Sequence, residues 1–216
     1  MIVTIDGPAG AGKSTVAKRL AERLGFQFLD TGAMYRAVAW AAQQQGLRWD
    51  QPDEIANLAR RIRLEVDADR VTVDGRDVTA ELRTSRVTAV TRYAADNPGV
   101  RAHLVALQRQ LAQGKNVVTE GRDQGTVVFP HARCKFFLTA SPEERARRRM
   151  QDLARRGETA SFEEVLAQQI ERDRGDSERA VGPLTPARDA IHVVTDGLTI
   201  EQVVDRLETF VRQRMD

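Results

Sequence analysis

One cysteine, three histidines and 5% aromatics leave this 216-residue chain a narrow chemical repertoire. The lone Cys134 excludes an internal disulfide and any cysteine-built metal site. It reads as a small buried hydrophobe. His103, His131 and His192 stand in no arrangement with a serine or cysteine of the kind nucleophilic catalysis uses. His192 falls inside a strand pattern, where a core or edge role is the simpler one. Scarce aromatics supply no stacking platform for nucleic acid. No apolar run reaches the roughly 20 residues of a membrane helix, and no leader-like segment precedes the first strand pattern. A cytoplasmic chain with neither nucleic-acid nor membrane partners is the expectation.

What is abundant is arginine. Only Lys13, Lys18, Lys115 and Lys135 are lysines among 33 basic residues, and 31 acidic residues bring the net charge to +2. Arginine offers a flat, forked donor set suited to phosphates and carboxylates. Genomic composition bias also raises its count, so position carries more weight than number. Thermal adaptation is not implied, because its general signal is lysine and glutamate. The length suits one domain, residues 1–216, with a small insertion.

The chain is organised around Gly7, Pro8, Ala9, Gly10, Ala11, Gly12, Lys13, Ser14 and Thr15. They read GxxxxGK[ST], a phosphate-loop pattern that needs a strand before it and a helix after it. Both are present. Met1–Asp6 is apolar and β-branched, and Val16, Ala17, Leu20, Ala21 and Leu24 recur at helical spacing up to Gly25. A plain glycine turn is the bland alternative, and the flanking elements weigh against it. Gly7, Gly10 and Gly12 let several N–H groups point inward, and the helix adds its positive end. Lys13 brings a point charge for the outer phosphates, and Ser14 a hydroxyl for magnesium.

Further along, a strand over 26–30 leads to a helix from Thr31 to about Gly46. A helix over 52–62, capped by Asp50, follows. Strand–helix alternation implies a parallel sheet with right-handed crossovers. Residues 63–80 then alternate with period two, interrupted by Asp74-Gly75, which predicts a small antiparallel insertion docked on the main domain. Helical spacing returns over 81–95. Asn97-Pro98-Gly99 breaks it, and an amphipathic helix runs from Val100 to Gln113. A buried strand over 116–120 opens into a loop, Gly121 to Thr126, and another strand covers 135–139. Ser141-Pro142-Glu143-Glu144 and Ser161-Phe162-Glu163-Glu164 are helix starts. A strand at 191–194 and a helix capped by Thr199 close the chain. The expected class is α/β: a three-layer fold with a central parallel sheet flanked by helices, the small antiparallel insertion, and a helical lid at about 145–160.

In such sheets ligands bind beyond the carboxyl ends of the strands. The phosphate loop, Asp30-Thr31-Gly32 and Glu120-Gly121-Arg122-Asp123 all fall there. Their polar groups are forks and carboxylates. A phosphate acceptor is already anionic near neutral pH, so it needs no general base. Arginines, lysine and magnesium then suffice for charge neutralisation and in-line positioning. The arginines of 145–156 read either as a lid closing on the transferring phosphoryl or as a solvated basic face, and most fit the second. The run Arg172 to Arg179 carries the same choice, surface charge or substrate clamp.

The stretches Ile5–Thr15, Leu29–Arg36, Glu120–Asp123 with Gly125–Pro130, and Glu171–Asp173 through Arg179-Ala180 resemble the bacterial cytidylate kinases, nearly end to end. The phosphate loop alone is common to many kinases; the other three stretches together are specific. The resemblance implies a P-loop kinase fold and ATP-dependent phosphorylation of CMP and dCMP with magnesium, by a monomer. It implies that Arg36, Arg122 and Arg179 hold the acceptor phosphate, with Lys13, Arg122 and Arg179 carrying the catalytic charge. Arg172 and Asp176 would hold the sugar. Arg101 and Asp123 would read the cytosine, with Thr31 lining the site. A carboxylate beside an arginine suits the amine and ring acceptors of cytosine. The family often has serine at the position of Thr31 and near Thr91–Arg92, and aspartate where Glu120 stands. Thr31 keeps the hydroxyl.

Two alternatives differ in kind. One is a P-loop kinase for UMP, AMP or a shikimate-like alcohol; the alcohol would need a carboxylate base, and Asp30 could serve. The other is a basic NTP-hydrolysing protein working on nucleic acid, which a pI near 9.0 permits. Its basic residues, however, are interleaved with acids.

Overall fold

The computed structural model describes residues 1–67 and 69–215. In chain order its elements are β1 (Ile2–Asp6), α1 (Lys13–Leu24), β2 (Gln27–Asp30), α2 (Thr31–Gln44), α3 (Pro52–Arg61), β3 (Leu64–Val66), β4 (Val71–Val73) and β5 (Arg76–Asp77). Then come α4 (Ser85–Ala95), α5 (Pro98–Ala112), β6 (Val117–Gly121), β7 (Cys134–Thr139), α6 (Pro142–Arg155), α7 (Phe162–Glu178), β8 (Ile191–Val194) and α8 (Ile200–Arg212). The chain divides into two compact units, residues 1–26 with 117–216, and residues 27–116. No helix among the described residues is long and apolar enough to cross a membrane.

The first unit is built on β1. Its residues Val3 to Asp6 are all buried, which is why the strand reads as an unbroken apolar run. It pairs in parallel with β6 on one side and β7 on the other, and β7 pairs in parallel with β8, giving the order β6-β1-β7-β8. Helix α1 lies against β1 and β6 and packs on α8. Phe210 of α8 meets Phe136 of β7 edge to face, 5.6 Å between ring centres. Helices α6 and α7 close on each other around Ala146, Leu153 and Val165. Phosphate loop and Arg122–Asp123 turn both leave the carboxyl ends of central strands.

The second unit is mostly helical. Helix α2 is buried along nearly its whole apolar surface, from Ala33 to Ala42, with α3 and α4 packed on it. Helices α3 and α5 approach closely: a Cβ on Gly99 would stand 2.7 Å from the Ala56 Cβ. The alternating stretch forms the antiparallel sheet β3-β4-β5, as its period predicts. Asp74 and Gly75, at φ 52° and 80°, make the two-residue hairpin turn. Val71 and Val73 are buried, and the sheet packs on α2. Ala68, within the expected meander, lies outside the described residues.

Four local expectations change. The 81–95 segment is a single tight turn at Glu81–Arg83 and then α4, because Thr84 adopts an extended conformation and caps the helix by accepting from the Val87 N–H. Helix α5 begins at Pro98, where a missing N–H costs nothing, with Asn97 as its cap. Asp50 does not cap α3. It pairs with Arg48, and Gln51 holds the cap position. The loop after β6 winds into one wide helical turn, Gln124–Val128.

Candidate active site

The phosphate loop is shaped by contacts that only glycine permits. Gly7 sits at φ 147°, and a Cβ there would stand 1.9 Å from the Leu138 carbonyl oxygen. Gly12, at φ 86°, occupies the cap position of α1 and offers no side-chain cap; the first turn holds no acid. Each of the other helices has a side-chain cap or an acidic first turn. An N-terminus with neither leaves its N–H groups and positive dipole end suited to an anion.

Lys13 opens α1 and is 5% exposed. Its Nζ donates to the Pro8 carbonyl at 2.8 Å, curling over the loop. Burial pushes its pKa down to about 7, and the positive charges of Arg122 and Arg172 add to the push, against Glu120 and Asp6. Three cations therefore crowd one another. Ser14 Oγ donates to Glu120 Oε1 at 2.8 Å, which sets a hydroxyl and a carboxylate side by side, oxygen donors of the kind magnesium takes.

Around the same strand ends Arg122 Nε donates to Asp176 Oδ2 at 2.7 Å, and Arg179 Nη2 donates to Asp176 Oδ1. Burial works to raise the Asp176 pKa, but Arg122, Arg179 and Arg172 outweigh it and hold the carboxyl below its ordinary range. Asp123 is buried in the turn after β6. The first unit thus brings together the phosphate loop, Arg122, Asp123, Arg172, Asp176 and Arg179. Within the run from Arg172 to Arg179, Arg174 is an exposed partner of Glu171, whereas Asp176 and Arg179 form a largely buried pair.

The second unit holds Thr31, Arg36 and Arg101. Thr31 is buried in the first turn of α2. Asp30 caps that helix, its Oδ1 accepting from the Ala33 N–H at 2.8 Å, and its Oδ2 accepts from Arg36 Nη2 at 3.0 Å. Arg101 is 2% exposed; its Nη1 donates to the Ala95 carbonyl and its guanidinium lies 5.5 Å over the Tyr35 ring.

Two arginines of the basic stripe belong to the phosphate loop's surroundings, which their composition hid. Arg145 is 4% exposed; its Nη1 donates to the Ala9 carbonyl at 3.2 Å and to Asp173 Oδ2 at 2.5 Å. Arg148 grips Thr195 by its hydroxyl and carbonyl, at 3.0 and 2.9 Å. One signal for Arg145 was available: a cation so near a helix start opposes the helix dipole. Arg147 and Arg155 keep the bland role, paired with Glu144 and Asp152 on the surface.

A glycine loop at the end of a central parallel strand, a buried lysine curled over it and an open helix N-terminus define a P-loop kinase. The family model for cytidylate kinase matches residues 3–213. The chain belongs to the cytidylate kinase family. It is 53% identical over 213 residues to a cytidylate kinase of Rhodopirellula baltica, covering 99% of this chain and 93% of that one. It is 47% identical over 211 residues to a cytidylate kinase of Caldanaerobacter subterraneus subsp. tengcongensis, covering 98% and 94%. Among solved structures, an uncharacterized protein from Eubacterium ventriosum shares the fold, with a TM-score of 0.53 at 12% identity over 98% of each chain.

Proposed function

We infer that this chain transfers the γ-phosphoryl group of ATP to the phosphate of CMP and of dCMP. The observation that carries the reading is a buried Lys13 curled onto the Pro8 carbonyl of the phosphate loop, its pKa lowered to about 7 by burial first and by the positive charges of Arg122 and Arg172 after it. Mutually repelling cations at the end of a phosphate loop are relieved by bound anions, and an acceptor phosphate brings a second one beside the donor's.

Each group then has a task. Residues Gly7 to Thr15 cradle the ATP phosphates, and Lys13 follows the charge that moves to the leaving oxygen. Arg36, Arg122 and Arg179 hold the acceptor phosphate. Arg172 and Asp176 hold the sugar, and Arg101, Asp123 and Thr31 the cytosine. Ser14, with Glu120 beside it, would hold magnesium, which supplies charge neutralisation on the donor phosphates. Because a phosphate acceptor is already ionised, orientation and charge complementarity are the whole of catalysis. A cytosine amine donates to Asp123, whereas uracil would turn a carbonyl toward it and leave two acceptors facing.

An alcohol acceptor is disfavoured by the state of its best base. Asp30 is engaged by the α2 N-terminus and by Arg36. The test is ADP formation from ATP and magnesium with CMP, dCMP, UMP, AMP and shikimate as separate acceptors. Turnover chiefly with CMP and dCMP is expected. Turnover chiefly with AMP, UMP or shikimate would overturn the reading.

A further inference from the structure

Asp6 ends β1, and Gly7 after it opens the phosphate loop. Asp6 is 3% exposed, and its carboxylate meets the start of the wide helical turn Gln124–Val128. Its Oδ1 accepts from the Gln124 N–H and its Oδ2 from the Gly125 N–H, each at 2.8 Å. One carboxylate so fixes two successive peptide planes. The residues immediately before that pair are Arg122 and Asp123.

The approach is close. A Cβ on Gly125 would stand 3.0 Å from Thr4 Oγ1, 3.2 Å from Lys135 Cδ and 3.4 Å from Asp6 Oδ2. Further on, Lys135 Nζ donates to the Pro130 carbonyl at 2.6 Å and to Asp189 at 2.9 Å. The 122–130 segment is thus held at both ends by buried ionic groups of neighbouring strands. The end that carries Asp123 belongs to Asp6.

Only a carboxylate fits this position. Asparagine has one acceptor oxygen and would aim an amide donor at the second N–H. Burial raises the Asp6 pKa to about 6 even though both N–H groups and Lys13 pull it down, and Asp123 adds to the rise. Keeping such a group ionised near neutral pH costs stability. Its two hydrogen bonds go to the acceptor turn.

We propose that Asp6 is a positioning residue for acceptor recognition. It fixes the Arg122–Asp123 turn against β1, and so sets how Asp123 meets the acceptor's base and Arg122 its phosphate. The same strand end starts the phosphate loop, which gives donor and acceptor groups one common anchor. This inference rests on the assignment of Arg122 and Asp123 to the acceptor.

The test is Asp6→Asn, checked for folding by its thermal transition and assayed against ATP, CMP and UMP. A rise of about tenfold or more in KM for CMP, with KM for ATP held within about twofold and the preference for CMP over UMP narrowed, is expected. A fall in kcat with both KM values unchanged, or an equal rise in both, would mean a merely structural role and overturn the proposal. Should Asp6→Asn not fold, Gly125→Ala presses the same turn off β1 without removing a charge. It is expected to give the same split, and a KM for CMP unchanged in that variant would overturn the proposal. The wild type is the control for the underlying assignment. Without CMP-dependent ADP formation there, the acceptor reading itself fails; with it, an unaffected Asp6→Asn defeats this proposal alone.

Discussion

Arg122 Nε donates to Asp176 Oδ2 at 2.7 Å, which ties the turn after β6 to the last part of α7. Arg179 holds the other oxygen of the same carboxylate. Two arginines, proposed above to hold the acceptor phosphate, are oriented by one acid between them. Asp176→Asn removes that charge and lets both forks drift. KM for CMP is expected to rise about tenfold, with KM for ATP within about twofold, since breaking a buried charge pair costs the side that loses orientation. Saturation curves for each substrate check the split.

Lys13 titrates where it can be followed. Its pKa is lowered to about 7 in the free protein, so at pH 8 most of it is neutral. A bound triphosphate restores the charge by bringing a negative partner, and so ATP binding at pH 8 takes up a proton. Below about pH 6 the lysine is charged before and after, and its uptake vanishes. Apparent ATP affinity therefore falls as pH rises above 7. Calorimetry in buffers of different ionisation enthalpy measures the uptake, and Lys13→Met is expected to abolish it. Lys13→Ala is expected to lower kcat about a thousandfold with every acceptor.

Much of this site was legible in the sequence, for reasons particular residues make clear. Gly7 announces the phosphate loop because a side chain fits neither its φ nor its neighbours, and Gly12 because its φ lies in the left-handed region. Thr199 and Ser161 mark helix starts because capping is local chemistry, and both form reciprocal caps. Arg145 was hidden because it shares a stripe with arginines that do face water, and its contacts with Ala9 and Asp173, both distant in sequence, separate it from them. Asp6 was hidden likewise: its partners lie 118 and 119 residues on. The wide turn at Gln124–Val128 has no propensity signature; its first two N–H groups are held by Asp6, from a distant strand.

Asp123 carries the choice of base in this account. Asp123→Ala is expected to raise KM for CMP by about ten- to a hundredfold, the range of one well-made hydrogen-bonded base contact. ATP affinity should barely change. Equal losses for CMP and ATP in steady-state assays would place Asp123 with the phosphate loop and not with the base.

Gly7→Ala tests the loop's geometry apart from its charge. The added Cβ would collide with the Leu138 carbonyl at 1.9 Å, backbone against backbone. A loss of about 3 kcal/mol or more in urea unfolding is expected, because neither strand can shift without breaking its ladder. Gly114→Ala, where a Cβ meets nothing within 4 Å, is the control for positive φ alone.

The central claim is that the acceptor is a phosphate, and CMP against cytidine tests it most directly. The two differ only in the group that Arg36, Arg122 and Arg179 are assigned to hold. With ATP and magnesium, CMP is expected to support ADP formation with CDP as product, and cytidine to leave the background rate unchanged. Turnover of cytidine comparable to that of CMP would contradict the account, because it would require a base to ionise an alcohol.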